Sequence, residues 1–138
     1  MDTITAERRS ALMARIRDKG TAPELAVRRM AHKLGYRFRL HKADLPGRPD
    51  LVFPKFRKVV LVHGCFWHQH RGCRRSSIPK SRFDYWGPKL ARNVARDWEA
   101  ADALRSAGWE VLVIWECESG DADALALKLK NFLGSADR

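Results

Sequence analysis

Residues 46–73 read PGRPDLVFPKFRKVVLVHGCFWHQHRGC, and this one stretch gathers a lone acid, three histidines, two cysteines and an adjacent Phe-Trp pair. Asp50 follows a Pro-Gly-Arg-Pro turn and opens a short apolar run, Leu51 to Phe53, that reads as a strand. A second strand runs from Lys58 to Val62. Its successive apolar residues Val59, Val60, Leu61 and Val62 suit burial on both faces, in the middle of a sheet. That strand delivers His63 to the sheet's end. Two neighbouring strands with a tight connection bring the start of one beside the end of the other. Asp50 is therefore expected next to the Val62–His63 peptide, where carboxylate, carbonyl and imidazole suit a hard divalent cation such as magnesium.

The rest of the chain bounds what such a site can serve. Its 138 residues fit one domain, 1–138, with a single core. No apolar run approaches the ~20 residues of a membrane span, so a soluble, cytoplasmic protein is expected. Three cysteines cannot all pair within one chain, and in a reducing compartment metal ligation is the first role to test. Net charge is +11. Residues 1–96 carry 23 Lys and Arg against 7 acids, and residues 97–138 carry 4 against 9. The basic face and the candidate site thus share one part of the chain, the pattern expected of a protein that approaches a polyphosphate backbone.

In chain order, residues 5–17 read as a basic helix with Leu12 and Ile16 on one side, and residues 1–20 are assigned to DNA contact. Thr21-Ala22-Pro23-Glu24 has the form of a capping box for a second helix carrying Val27, Met30, Ala31 and Leu34, stopped by Gly35. The bland role of Glu24 is that cap. Tyr36, Phe38 and Leu40 alternate with Arg37 and Arg39 as a half-buried strand. Residues 74–87 read as a basic, aromatic loop. From Pro88 a long helix places Leu90, Val94, Trp98, Ala101 and Leu104 in one apolar stripe. Residues 109–115, WEVLVIW, form the clearest strand and lead into Glu116 and Cys117, and Asp121 caps a last helix with Leu125, Leu129 and Phe132 inward. The order α, α, β, β, β, α, β, α implies a mixed sheet flanked by helices.

Cys65, His70 and Cys73 lie on one loop, and Cys117 follows a strand able to neighbour the one ending at Val62. The four would make a tetrahedral zinc site, with His68 in place of His70 as the alternative ligand. His68, beside Trp67 and between two of those ligands, suits proton transfer at neutral pH. His63 has an ordinary hydrogen-bonding role as its alternative, and His32 and His41 read as surface residues. Phe66 and Trp67, held between Cys65 and His68, are expected to face outward as an aromatic wedge, joined by Trp86 from the second basic loop.

Four ordered blocks, PGRPD, VHGCFWHQHRGC, PKSRFDYW with KLARNVARD, and GWEVLVIWEC, resemble the very short patch repair (Vsr) DNA mismatch endonucleases over nearly the whole chain. The resemblance implies an α/β, restriction-endonuclease-like mixed sheet flanked by helices, with one structural zinc. It implies a magnesium-dependent endodeoxyribonuclease that nicks double-stranded DNA 5′ of the thymine in a T·G mismatch left by 5-methylcytosine deamination, giving a 5′-phosphate. By position, Asp50 resembles the metal-binding aspartate, Val62 offers its carbonyl to the same cation, His68 resembles the catalytic histidine, and His63 and Glu24 its supporting residues. Cys65, His70, Cys73 and Cys117 resemble the zinc ligands. Phe66, Trp67 and Trp86 resemble the intercalating wedge, and Met13, Lys89 and Asn93 mismatch contacts. A monomer is expected, bacterial, cytoplasmic and associated with the nucleoid when on DNA, with mismatch-repair proteins as partners. Two other readings stand beside this one: a nuclease of the same fold with another DNA target, and a catalytically inactive, zinc-stabilised DNA-binding protein.

Overall fold

The computed structural model describes residues 21–135, so the expected helix at 5–17 and Met13 lie outside the described residues. Helix α1 spans Ala22–Lys33 and strands β1, β2 and β3 span Arg39–Leu40, Leu51–Phe53 and Lys58–His63. Helix α2 spans Phe83–Ser106, β4 Glu110–Trp115 and α3 Ala122–Leu133. The sheet order is β1-β2-β3-β4. β1 and β3 both run antiparallel to β2, and β3 pairs parallel with β4, Val62 opposite Ile114 and His63 opposite Trp115. A mixed sheet is the consequence, and β3 is internal to it, as its run of apolar residues requires. Among the described residues no helix is long and apolar enough to cross a membrane.

Alternation along the strands divides the core between the two faces. Leu51, Phe53, Val60 and Ile114 pack under α1 and α3 with Val27, Ala31, Leu125, Leu129 and Leu133. Val52 and Val59 face the other way, onto Leu104 near the end of α2 and Trp109 just before β4. Asp121 caps α3 as expected, its Oδ1 accepting from the Ala124 N–H at 3.1 Å.

Four local expectations change. The capping box at Thr21 is not formed: Thr21 makes no side-chain cap hydrogen bond, and Glu24 is buried at 3 % exposure. The strand expected over 36–40 shrinks to Arg39–Leu40, because Tyr36 and Phe38 turn their rings onto Phe53, with centroids 6.2 and 5.9 Å away. Helix α2 starts at Phe83 and contains Pro88, where a loop was expected to run to residue 87. Near the helix start the proline ring forfeits one backbone bond, and packing of Tyr85 and Trp86 in the preceding turn outweighs it. Lastly, the buried face of α2 carries Leu90, Asn93, Ala101 and Leu104, which leaves Trp98 66 % exposed, not in the core.

Candidate active site

The turn before β2 sets the first half of the site. Gly47 and Arg48 both take positive φ, +72° and +46°, which reverses the chain and lays Gly47 against α2. A Cβ at Gly47 would lie 2.7 Å from Ala100 Cβ. Asp50 then starts β2 beside the end of β3, and its Oδ2 accepts the Val62 N–H at 2.7 Å, the juxtaposition expected from the strand order. Across from it, Glu24 Oε1 is 2.9 Å from His41 Nε2, and His41 Nε2 is 3.8 Å from Asp50 Oδ1. Burial pushes Asp50 up to about 6; the Val62 N–H pulls the other way, and the Glu24 carboxylate adds to the rise. Two carboxylates this close suit a shared cation.

The second half comes from the end of β3, the loop after it and α2. His63 and His68 stack with ring centroids 3.9 Å apart, and His68 Nδ1 lies 2.6 Å from Asp97 Oδ2 on α2. Burial, and then the neighbouring His68, push His63 down to about 4 against an upward pull from Asp97, so His63 is a neutral imidazole at pH 7. Asp50, His63, His68 and Asp97 line one cleft of about 290 Å³, and the exposed Arg48 and Arg96 are among its other lining residues. Glu24, His41 and Asp50 place their ligand atoms within 4.8 Å of one another, as do His63, His68 and Asp97.

A third cluster joins the loop to the sheet. Cys65, His70, Cys73 and Cys117 bring their donor atoms within 4.8 Å of one another. His70 Nδ1 is 3.7 Å from Cys65 Sγ and 3.4 Å from Cys117 Sγ. A tetrahedral ion with Zn–S of ~2.3 Å and Zn–N of ~2.0–2.1 Å separates such donors by about 3.6 Å, so the group can hold a metal. His70, not His68, is the imidazole brought to the thiols. Burial pushes the Cys65 thiol up to about 12, so that a thiolate there calls for a cation. The His70 ring stacks on Trp115 at 4.2 Å, and Trp115 meets His63 edge-on at 5.2 Å, linking this cluster to the cleft.

The aromatics differ from expectation. Trp67 and Trp86 are buried, at 7 % and 1 % exposure, in a cluster with Leu90, Phe66, Ile78 and Tyr85. The loop is long enough to fold back on the start of α2, and Asn93 Nδ2 fixes it there by donating to the Trp67 carbonyl at 2.7 Å. Phe66 is half-buried, packed edge-on against Trp86 at 5.3 Å. Lys89 Nζ lies 5.0 Å from the Tyr85 ring centre, at the rim of the cluster. Two site residues escaped the sequence reading. Asp97 had a signal, since an acid on the face that carries Leu90, Asn93 and Leu104 needs a partner. His41 had none, because only the fold brings it to Glu24.

Hydrolysis of a phosphodiester is a reaction that Asp50 and the His68–Asp97 pair, lining one cleft with two exposed arginines, can serve, and the chain is a DNA endonuclease. Residues 1–75 match the family described as DNA mismatch endonuclease Vsr. The type II nicking enzyme V.XorIIP of Xanthomonas oryzae pv. oryzae is 54 % identical over 96 % of this chain and 96 % of its own length. The type II nicking enzyme V.NmeAIP of Neisseria meningitidis is 40 % identical over 85 % of this chain and 83 % of its own length. The DNA mismatch endonuclease Vsr of Escherichia coli is 40 % identical over 79 % of this chain and 69 % of its own. The chain belongs to the Vsr family.

Proposed function

We propose that the protein nicks double-stranded DNA on the 5′ side of the thymine in a T·G mismatch, leaving a 5′-phosphate, with Mg²⁺ at Asp50. The observation that carries the catalytic part is the shared cleft, lined by Asp50 and Val62 and by the hydrogen-bonded His68–Asp97 pair. The T·G target rests on the resemblance and on the name of the E. coli relative. The sheet, with an acid at the start of β2 and an imidazole at the end of β3, agrees with a restriction-endonuclease-like core.

His68 is the base in this reading. Its Nδ1–H donates to Asp97, which leaves the Nε2 lone pair to take a proton from water. As the water oxygen bonds to phosphorus, the bond to the 3′-oxygen breaks, and the leaving oxygen takes a proton from solvent water, giving a 3′-hydroxyl and a 5′-phosphate. Asp97 stabilises the imidazolium that forms. Neutral His63 stacks on His68 and holds its ring in place. Asp50 would hold the cation with the Val62 carbonyl, and Glu24 would complete the anionic side. When bound, the cation supplies Lewis-acid stabilisation of the charge that develops on the phosphate.

Zinc is proposed for Cys65, His70, Cys73 and Cys117, in a structural role because the four donors leave no place for water. Met13, Lys89 and Asn93 are proposed as contacts to the mispair. The wedge role falls first to Phe66, with Trp67 and Trp86 following only if the aromatic cluster opens on DNA. The test is a panel of end-labelled duplexes carrying T·G, C·G or a preformed nick, with and without Mg²⁺. Cleavage 5′ of the mispaired thymine alone is expected, and equal cleavage of the C·G duplex would overturn the assignment.

A further inference from the structure

His41 directly follows the short strand β1 and takes φ +45°, in the left-handed region that a residue bearing a Cβ rarely adopts. Backbone strain of this kind collects at functional sites, where the surroundings hold it in place. The His41 N–H donates to the Asp50 carbonyl at 3.3 Å, so the ring is registered to that acid by the end of the β1–β2 ladder. Its Nε2 sits between two carboxylates, 2.9 Å from Glu24 Oε1 and 3.8 Å from Asp50 Oδ1. The side chain is only 15 % exposed. Balancing the charge of Glu24 does not account for this placement, because Arg28 Nη1 already lies 3.6 Å from Glu24 Oε2.

An octahedral ion with bonds of about 2.1 Å separates neighbouring donors by about 3 Å, and the two His41 distances bracket that spacing. Resting on the reading of Asp50 as a cation ligand, we propose that His41 Nε2 is a nitrogen ligand to the same cation. The chain then has a mixed nitrogen and oxygen site that binds Mn²⁺ more tightly than the Mg²⁺ proposed to serve there. Magnesium favours oxygen donors and keeps its waters, whereas an imidazole adds affinity for first-row transition ions. His63 and His68 belong to the separate cluster with Asp97 and lie outside this donor set.

The test uses zinc-loaded full-length protein, so that the thiolate cluster is already filled, titrated with Mn²⁺ and followed by electron paramagnetic resonance. Bound Mn²⁺ in the wild type should show the ¹⁴N modulation of a directly coordinated imidazole. His41→Gln should remove that modulation and weaken Mn²⁺ binding at least about tenfold, while Mg²⁺ affinity, measured by competition, changes less than about threefold. Bound Mn²⁺ without nitrogen coupling in the wild type, or coupling that survives in His41→Gln, would overturn the ligand role. Asp50→Asn separates this from failure of the underlying reading. If Asp50→Asn loses Mn²⁺ while His41→Gln binds it like the wild type, Asp50 stands and His41 falls. If Asp50→Asn binds Mn²⁺ unchanged, both fall.

Discussion

Asp50 carries an energetic penalty that the proposed cation-binding role would explain. Its carboxyl is raised from 3.8 to about 6, first by burial and further by Glu24. Between those values the folded protein keeps a proton that the unfolded chain has released. The associated stability is fully present below about 3.8 and is lost as pH rises through about 6. Metal-free Asp50→Asn should therefore be more stable than wild type at pH 8, by about 3 kcal/mol at ~1.36 kcal/mol per pKa unit. The two melting curves should converge toward pH 4, and the variant should not nick DNA. A wild type that melts higher than Asp50→Asn at pH 8 without metal would count against this. His68→Ala should lose about 10²–10⁴-fold in rate. Asp97→Asn should lose activity with its melting temperature nearly unchanged, since the pair is partly exposed. Single-turnover nicking measures both.

Helix α2 shows how far the sequence could be read. Its existence follows from the apolar spacing, but the choice of face does not. Leu90, Ala101 and Leu104 fit a stripe with Val94 and Trp98 as well as one with Asn93 and Asp97, and hydrophobicity favours the first. The fold takes the second because Asn93 and Asp97 find partners in Trp67 and His68, which periodicity does not encode. The same limit applies to Trp86, whose burial depends on a loop folding back over it. The strands of the 46–73 stretch were more legible, since β2 and β3 are adjacent in sequence and their pairing is local. The two tryptophans give a clean comparison. Trp86→Ala should cost about 3–5 kcal/mol as a core truncation, and Trp98→Ala less than about 0.5 kcal/mol. Urea melts of the two variants measure this, and equal losses would mean that the face of α2 is misassigned.

At the scale of the whole molecule, the thiol cluster ties the loop after β3 to the end of β4. Structural zinc in small domains contributes apparent binding energies of ~10–16 kcal/mol, as large as the ~5–15 kcal/mol of net stability usual for a domain. Cys117→Ser should thus melt early and bind less than one zinc per chain by elemental analysis. A variant with wild-type melting would show that the metal contributes nothing to the fold. The cleft and the cluster share one further property, which is that neither is complete within the first half of the chain. Asp50, His63, His68 and three of the four metal donors precede residue 75, while Asp97 and Cys117 follow it. During translation, a nascent polypeptide therefore carries its carboxylate pair and its histidine without the partners that orient them. A copy terminated before residue 97 would lack both the acid that orients His68 and the fourth donor of the thiol cluster, and it is expected not to cut DNA.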